Sequence, residues 1–147
     1  MNTTMEKNEI IKCFTGCIHC SQIVVGQWAE KLGLDVETSI RMAGPFGGGC
    51  FEGNVCGCVA GALMVIGAEH GHCEMGDEEG NAQMIAQIGQ FKESFKEEFG
   101  FLLCKELIGY DFSIPGEFEK AQASGVLFEK CPNYVNGALK ILDDMLG

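Results

Sequence analysis

The chain has 147 residues, 46% of them hydrophobic, a length at which one domain buries roughly 68–70% of its unfolded surface without disulfide help. Twenty-one acidic residues against ten basic ones give a formal charge of −11, with Arg41 the only arginine. That balance argues against a nucleic-acid partner, because neutralising phosphates needs clustered Lys and Arg, and no apolar run approaches the 18–20 residues of a membrane span.

The first apolar period predicts a short helix over residues 5–15, with Ile10, Ile11 and Phe14 on one face. Thr15-Gly16 interrupts it, and a second helix is expected from about Ile18 to Leu32, with Ile23, Val24, Trp28 and Leu32 inward. Gly33 stops that helix. Asp35 is a natural cap for a third, over Val36–Ala43, which Gly44-Pro45 ends. The run Phe46-Gly47-Gly48-Gly49-Cys50-Phe51-Glu52-Gly53 is too rich in glycine for regular structure.

Asn54 is the expected cap of a helix from Val55 to about Glu69, with Val59, Leu63 and Ile66 as its stripe and Gly57 and Gly61 admitting a close neighbour. After a polar connection over 70–80, the longest helix is expected from Asn81 to Ile108, carrying Met84, Ile88, Phe91, Phe95, Phe99, Leu102 and Leu103, with Gly100 a place for a kink. Its aromatic stripe reads as core or as a helix–helix interface, and the surplus of apolar surface suggests a homodimer. Residues 116–123 form a weak helix. Pro132 suits the first turn of a last one running to Leu146, with Val135, Leu139 and Leu142 inward. No stretch alternates as a strand would. The expected architecture is all-α: one compact domain over residues 1–147, of about five to six helices.

Nine cysteines are scattered through this domain. At about 6% of the chain they fall below the roughly 8–10% of small disulfide scaffolds, and their odd number prevents complete pairing. The opening Met-Asn-Thr-Thr-Met-Glu-Lys-Asn-Glu has no apolar stretch and is not a signal-peptide pattern. A reducing cytoplasm is therefore the expected setting.

Cys20, Cys56 and Cys131 fall at predicted helix starts, Cys131 directly before Pro132 where it can itself be the cap. Unpaired N–H groups and the dipole there favour thiolate, the form needed for metal ligation and for nucleophilic redox chemistry. Cys104 sits on the predicted long helix, one turn from Phe101 and Leu107, and can project into the same interior. The alternative for each is a free thiol buried as a small hydrophobe.

Several pieces, in order, resemble one family. They are His19-Cys20-Ser21-Gln22-Ile23-Val24, Lys31-Leu32-Gly33-Leu34-Asp35, Phe46-Gly47-Gly48-Gly49, Cys56-Gly57-Cys58-Val59-Ala60-Gly61-Ala62-Leu63, Cys104 and Cys131-Pro132. The chain resembles, from about residue 13 onward, the redox-active proteins named for their C_GCAxxG_C_C pattern, related in part to split-Soret cytochromes. Carried over by position, the family cysteines are Cys20, Cys56, Cys104 and Cys131. Cys13, Cys17, Cys50, Cys58 and Cys73 look like additions, Cys58 standing where alanine is expected. The split-Soret relatives carry c-type haem and an iron–sulfur centre. Haem attachment requires Cys-x-x-Cys-His, whereas Cys17-Ile18-His19-Cys20 is followed by Ser21, so the resemblance implies an iron–sulfur cluster without covalent haem.

Four thiolates suit a [2Fe–2S] or [4Fe–4S] cluster or tetrahedral zinc. Structural zinc sites usually come as two close Cys pairs, and these four positions lie far apart on different predicted helices. Cys17-x-x-Cys20 is a lone dithiol motif outside any βαβ unit. Gly47, Gly48 and Gly49 either form a tight turn or let backbone N–H groups approach a cofactor beside Cys56; the Gly-Lys-Ser/Thr ending of a phosphate loop is absent. His70-Gly71-His72-Cys73-Glu74 is rich in potential ligands for a surface metal. No paired carboxylates or serine–histidine–acid arrangement points to hydrolysis. The expected function is a small electron-transfer protein working with a redox partner protein. The alternatives are a metal-free thiol–disulfide protein and a structural zinc module.

Overall fold

Polar and glycine-marked breaks between the apolar periods become turns, and eight α-helices follow one another in the computed structural model, which describes residues 2–147. They are α1 (Lys7–Thr15), α2 (Cys20–Ala29), α3 (Val36–Ala43), α4 (Gly57–His70), α5 (Glu78–Phe99), α6 (Cys104–Ile108), α7 (Glu117–Ser124) and α8 (Val126–Leu146). Among the described residues there is no strand, only an isolated antiparallel bridge between Val55 and Leu103. The all-α expectation holds, and five to six helices is an undercount.

Two departures matter for the site. The helix expected over 81–108 is two helices. Gly100 takes φ 87°, its N–H returns to the Lys96 carbonyl at 2.7 Å, and α5 closes there. The chain then extends through Leu102 and Leu103 to pair with Val55, and α6 begins at Cys104. Cys104 therefore opens a short helix instead of lying along a long one.

At the other end, Gly125 (φ 81°) precedes α8, which starts at Val126 and runs straight through Pro132. Cys131 is thus inside a helix and is no cap. A proline there leaves the Phe128 carbonyl without its helical donor. Packing outweighs that loss, since Pro132, Val135, Leu139 and Leu142 are all buried. The start of α4 also differs: Cys56, not Asn54, occupies the cap position.

The core lies where α2, α4, α5 and α8 meet, around Val24, Val59, Ile66, Phe91, Phe95 and Leu139, each fully buried. The aromatic stripe of α5 belongs to this core. Helices α2 and α4 touch at Gly61, whose missing β-carbon would stand 2.9 Å from the Ser21 carbonyl oxygen and 3.2 Å from the Ser21 α-carbon. The buried Ser21 hydroxyl donates to the Ala43 carbonyl at 2.7 Å and ties α2 to the end of α3. Asp35 caps α3 as expected, accepting from the Thr38 N–H at 2.9 Å. No helix among the described residues is long and apolar enough to cross a membrane.

Candidate functional site

Helices α2, α4 and α6 begin close together, and each begins with a cysteine. Cys20 is the first residue of α2, Cys56 caps α4, and Cys104 is the first residue of α6. The last two are tied through the backbone: the Cys56 N–H donates to the Leu102 carbonyl at 2.8 Å and the Cys104 N–H to the Asn54 carbonyl at 2.7 Å, on either side of the Val55–Leu103 bridge. Cys131 approaches from α8, one turn after Leu127. One turn away on the same helix, the Tyr134 hydroxyl donates to the Leu107 carbonyl at 2.9 Å and holds α8 against α6.

These four sulfurs, the four carried over from the resemblance, line a single cavity of about 710 Å³. Cys58 lines it too, and it is central. Its sulfur is hydrogen-bonded to both Cys20 and Cys56. Cys58, which looks from the sequence like an addition to the family set, thus lies among the family cysteines. A single cysteine at an alanine position carries no sequence signal of this; only the packing of α2 on α4 reveals it. Cys17 stands at the entrance, while Cys13, Cys50 and Cys73 do not line the cavity.

The electrostatics separate Cys20 from the other thiols. The Cys58 thiol hydrogen bond, helped by the N–H groups of Gly48, Ser21 and Cys20 and opposed by burial, brings Cys20 down to about 7 from an ordinary 9.0. Burial pushes Cys58 well up, and its bonds to Cys20 and Cys56 push it further. Burial likewise raises Cys104 and Cys131, each then raised again by the negative charge of neighbouring sulfurs. The arrangement holds one thiolate readily and makes each further negative charge harder to add. No Lys, Arg, Asp or Glu side chain lines the cavity.

Gly47 and Gly48 come up to the starts of α2 and α4: a β-carbon on Gly57, next to Cys56, would lie 3.2 Å from the Gly47 α-carbon. Gly47 abuts His19, since a β-carbon on it would lie 2.7 Å from that of His19. Gly48, Gly49, Cys50 and Phe51 all take left-handed backbone angles, with φ of 58°, 63°, 59° and 58°. This left-handed turn aims the Gly48 N–H at the Cys20 sulfur and sets the Phe51 ring edge-on to His19, centroids 4.9 Å apart. Left-handed geometry is costly for Cys50 and Phe51, and strain of this kind clusters at functional sites. Gly49 is needed for the turn itself: a β-carbon there would overlap the Asn54 backbone.

Donor chemistry therefore suits iron–sulfur or zinc ligation, but among the described residues no three or more His, Cys, Asp or Glu side chains already stand as a ligand group for a metal ion. Cys58 lies between Cys20 and Cys56, in contact with both. Zinc–sulfur bonds of about 2.3 Å would draw four sulfurs to within about 4 Å of one another. A multi-iron cluster spreads its cysteines wider. His70, His72 and Cys73 form no such group either; His70 Nδ1 lies 3.4 Å from the Gln83 side-chain nitrogen.

One family model, described as "Putative redox-active protein (C_GCAxxG_C_C)", matches residues 18–145, a span that takes in Cys20, Cys56, Cys58, Cys104 and Cys131. No curated protein and no solved structure gives a significant match.

Proposed function

Because this chain belongs to the C_GCAxxG_C_C family of redox-active proteins, we propose that the cavity thiols are its redox centre and hold an iron–sulfur cluster. The ligands are Cys20, Cys56, Cys104 and Cys131, with Cys58 beside them. One observation carries this reading: thiols remote in sequence, delivered by α2, α4, α6 and α8, line one cavity. The bound cluster supplies one-electron transfer.

The chain's own residues prepare the site. The Gly48 and Ser21 N–H groups stabilise negative charge on the Cys20 sulfur, and hydrogen bonds to sulfur raise a cluster's potential. The Val55–Leu103 bridge fixes Cys56 relative to Cys104, and Tyr134 braces the helix bearing Cys131. The wall around the sulfurs is mostly apolar. A redox protein is the proposed partner, and a cytoplasmic setting and a homodimer remain part of this proposal.

The test is anaerobic purification followed by iron and acid-labile sulfide assays. Brown protein with iron and sulfide in equal amounts supports the cluster; colourless protein with stoichiometric zinc supports a structural metal site instead. A second reading rests on the Cys20–Cys58 contact, which pairs a thiolate with a neighbouring thiol as dithiol–disulfide exchange requires. Colourless, metal-free protein that loses two thiols on mild oxidation, with Cys20 and Cys58 joined by peptide mapping, would establish that alternative.

A further inference from the structure

Apart from Cys17 at the entrance, the thiols occupy only the inner part of the cavity they line. Cys56, Cys58 and Cys104 are buried, whereas Ile18, Phe51, Phe118 and Phe128 around the opening are 36, 43, 37 and 46% exposed. Leaving four large apolar side chains in water around one opening is unfavourable unless something covers them. The cavity's volume of about 710 Å³ lies within the roughly 300–1,000 Å³ of small-molecule sites.

The outer wall has a definite chemistry. Phe112 packs against Gly48 and meets Phe118 edge-on, with centroids 5.1 Å apart at 78°. Leu127 and Phe128, from the first turn of α8, close the wall, and the Phe51–His19 pair stands at Cys20. The rings hold one another in fixed orientations. An anionic guest would lose its hydration without gaining a counter-charge, because no Lys or Arg lines the space. An aromatic guest would find ring edges and faces already set for it.

We propose that the outer chamber, walled by Phe51, Phe112, Phe118, Leu127 and Phe128, is a binding site for an uncharged aromatic small molecule, which it presents to the buried thiols. The site rests on the cavity's shape and lining and goes beyond the cluster reading, which concerns only its inner end.

N-phenyl-1-naphthylamine, a neutral fluorescent aromatic, is the probe. Titrated into the full-length protein it should give a saturable, blue-shifted fluorescence rise at one site per chain, both in protein as purified and after removal of any iron by chelation. Phe118→Ser, at a partly exposed position, should weaken the Kd about tenfold, the loss of one good aromatic contact, with circular dichroism showing the helices intact. Leu127→Trp should fill the chamber and abolish saturable binding, with circular dichroism confirming that the helices are intact. If Leu127→Trp does not fold, Phe118→Ser alone decides. No saturable rise with the wild-type chain, or a Kd unchanged in Phe118→Ser, overturns the proposal. Iron content is measured separately, so loss of the cluster reading and loss of this one are told apart.

Discussion

The Cys20 sulfur rests on Gly57, in the space that a β-carbon at position 57 would need, and the Phe46 carbonyl oxygen closes the same space at 2.9 Å. One face of the α4 start is thus shaped to seat a sulfur from α2. Gly57→Ala should push Cys20 out of line with Gly48 and Cys58. The cost of such overpacking is about 1–3 kcal/mol of stability, read by urea denaturation. Iron content, or Cys20 alkylation at pH 7 in metal-free protein, should fall with it. A variant with wild-type stability and wild-type Cys20 reactivity would show that the sulfur is not seated there.

The acidity of Cys20 makes a pH prediction for the metal-free, reduced protein. Between about 7 and 9.0 the folded chain carries a Cys20 thiolate while the unfolded chain carries the thiol. Unfolding then takes up a proton, so this contribution to stability grows as pH rises from 7 to 9 and is lost below 7. Cys104 and Cys131 are shifted upward, so above pH 9 unfolding releases their protons and stability declines again. Urea midpoints measured across pH 6–10 should rise and then fall, and Cys20→Ser should remove the rise without removing the decline.

Cys58 gives a sharper test of the site's wiring. Its hydrogen bond is the largest influence lowering Cys20. Cys58→Ala should move the midpoint of the Cys20 alkylation profile from near 7 toward higher pH, whereas Cys73→Ser, far from the cavity, should leave it in place. An unmoved midpoint in Cys58→Ala would assign the acidity to the backbone N–H groups alone.

The ligand assignment is checked by iron content after anaerobic purification. Cys20→Ser, Cys56→Ser, Cys104→Ser and Cys131→Ser should each lose most of the iron, and Cys73→Ser should keep it. Full iron retention by any of the first four removes that residue from the set.

Tyr134 and Phe95 report on the scaffold. Tyr134→Phe loses the bond to the Leu107 carbonyl and should cost about 1 kcal/mol. Phe95→Ala, at a fully buried position beside Phe91 and Phe99, should cost about 3–5 kcal/mol. Thermal melts distinguish the two.

Local signals were reliable where local forces decide. Asp35 before Val36 set the start of α3, and the apolar spacing of Phe91 and Phe95 marked the buried face of α5. The sequence misled where remote contacts decide. The stripe continuing from Phe99 through Leu102 and Leu103 resembles one helix, yet pairing with Val55 draws Leu103 into an extended bridge. Pro132 signals a helix start, yet Leu127 already belongs to the apolar face that continues to Val135 and Leu139, and burial carries the helix through. Cys104 and Cys131 exchanged roles for this reason: one opens a helix and the other does not. For Cys58 nothing nearby in the chain reveals the contact with Cys20, because that contact exists only once Gly61 lets α2 lie against α4.

The Val55–Leu103 bridge has a mechanical consequence. A pair of main-chain bonds flanking a bridge is hard to shear, so the two sulfurs beside it behave as prongs of one fork and not as independent arms. Loosening α6 alone cannot withdraw Cys104 from the centre without also disturbing the first turn of α4 and the thiol that caps it.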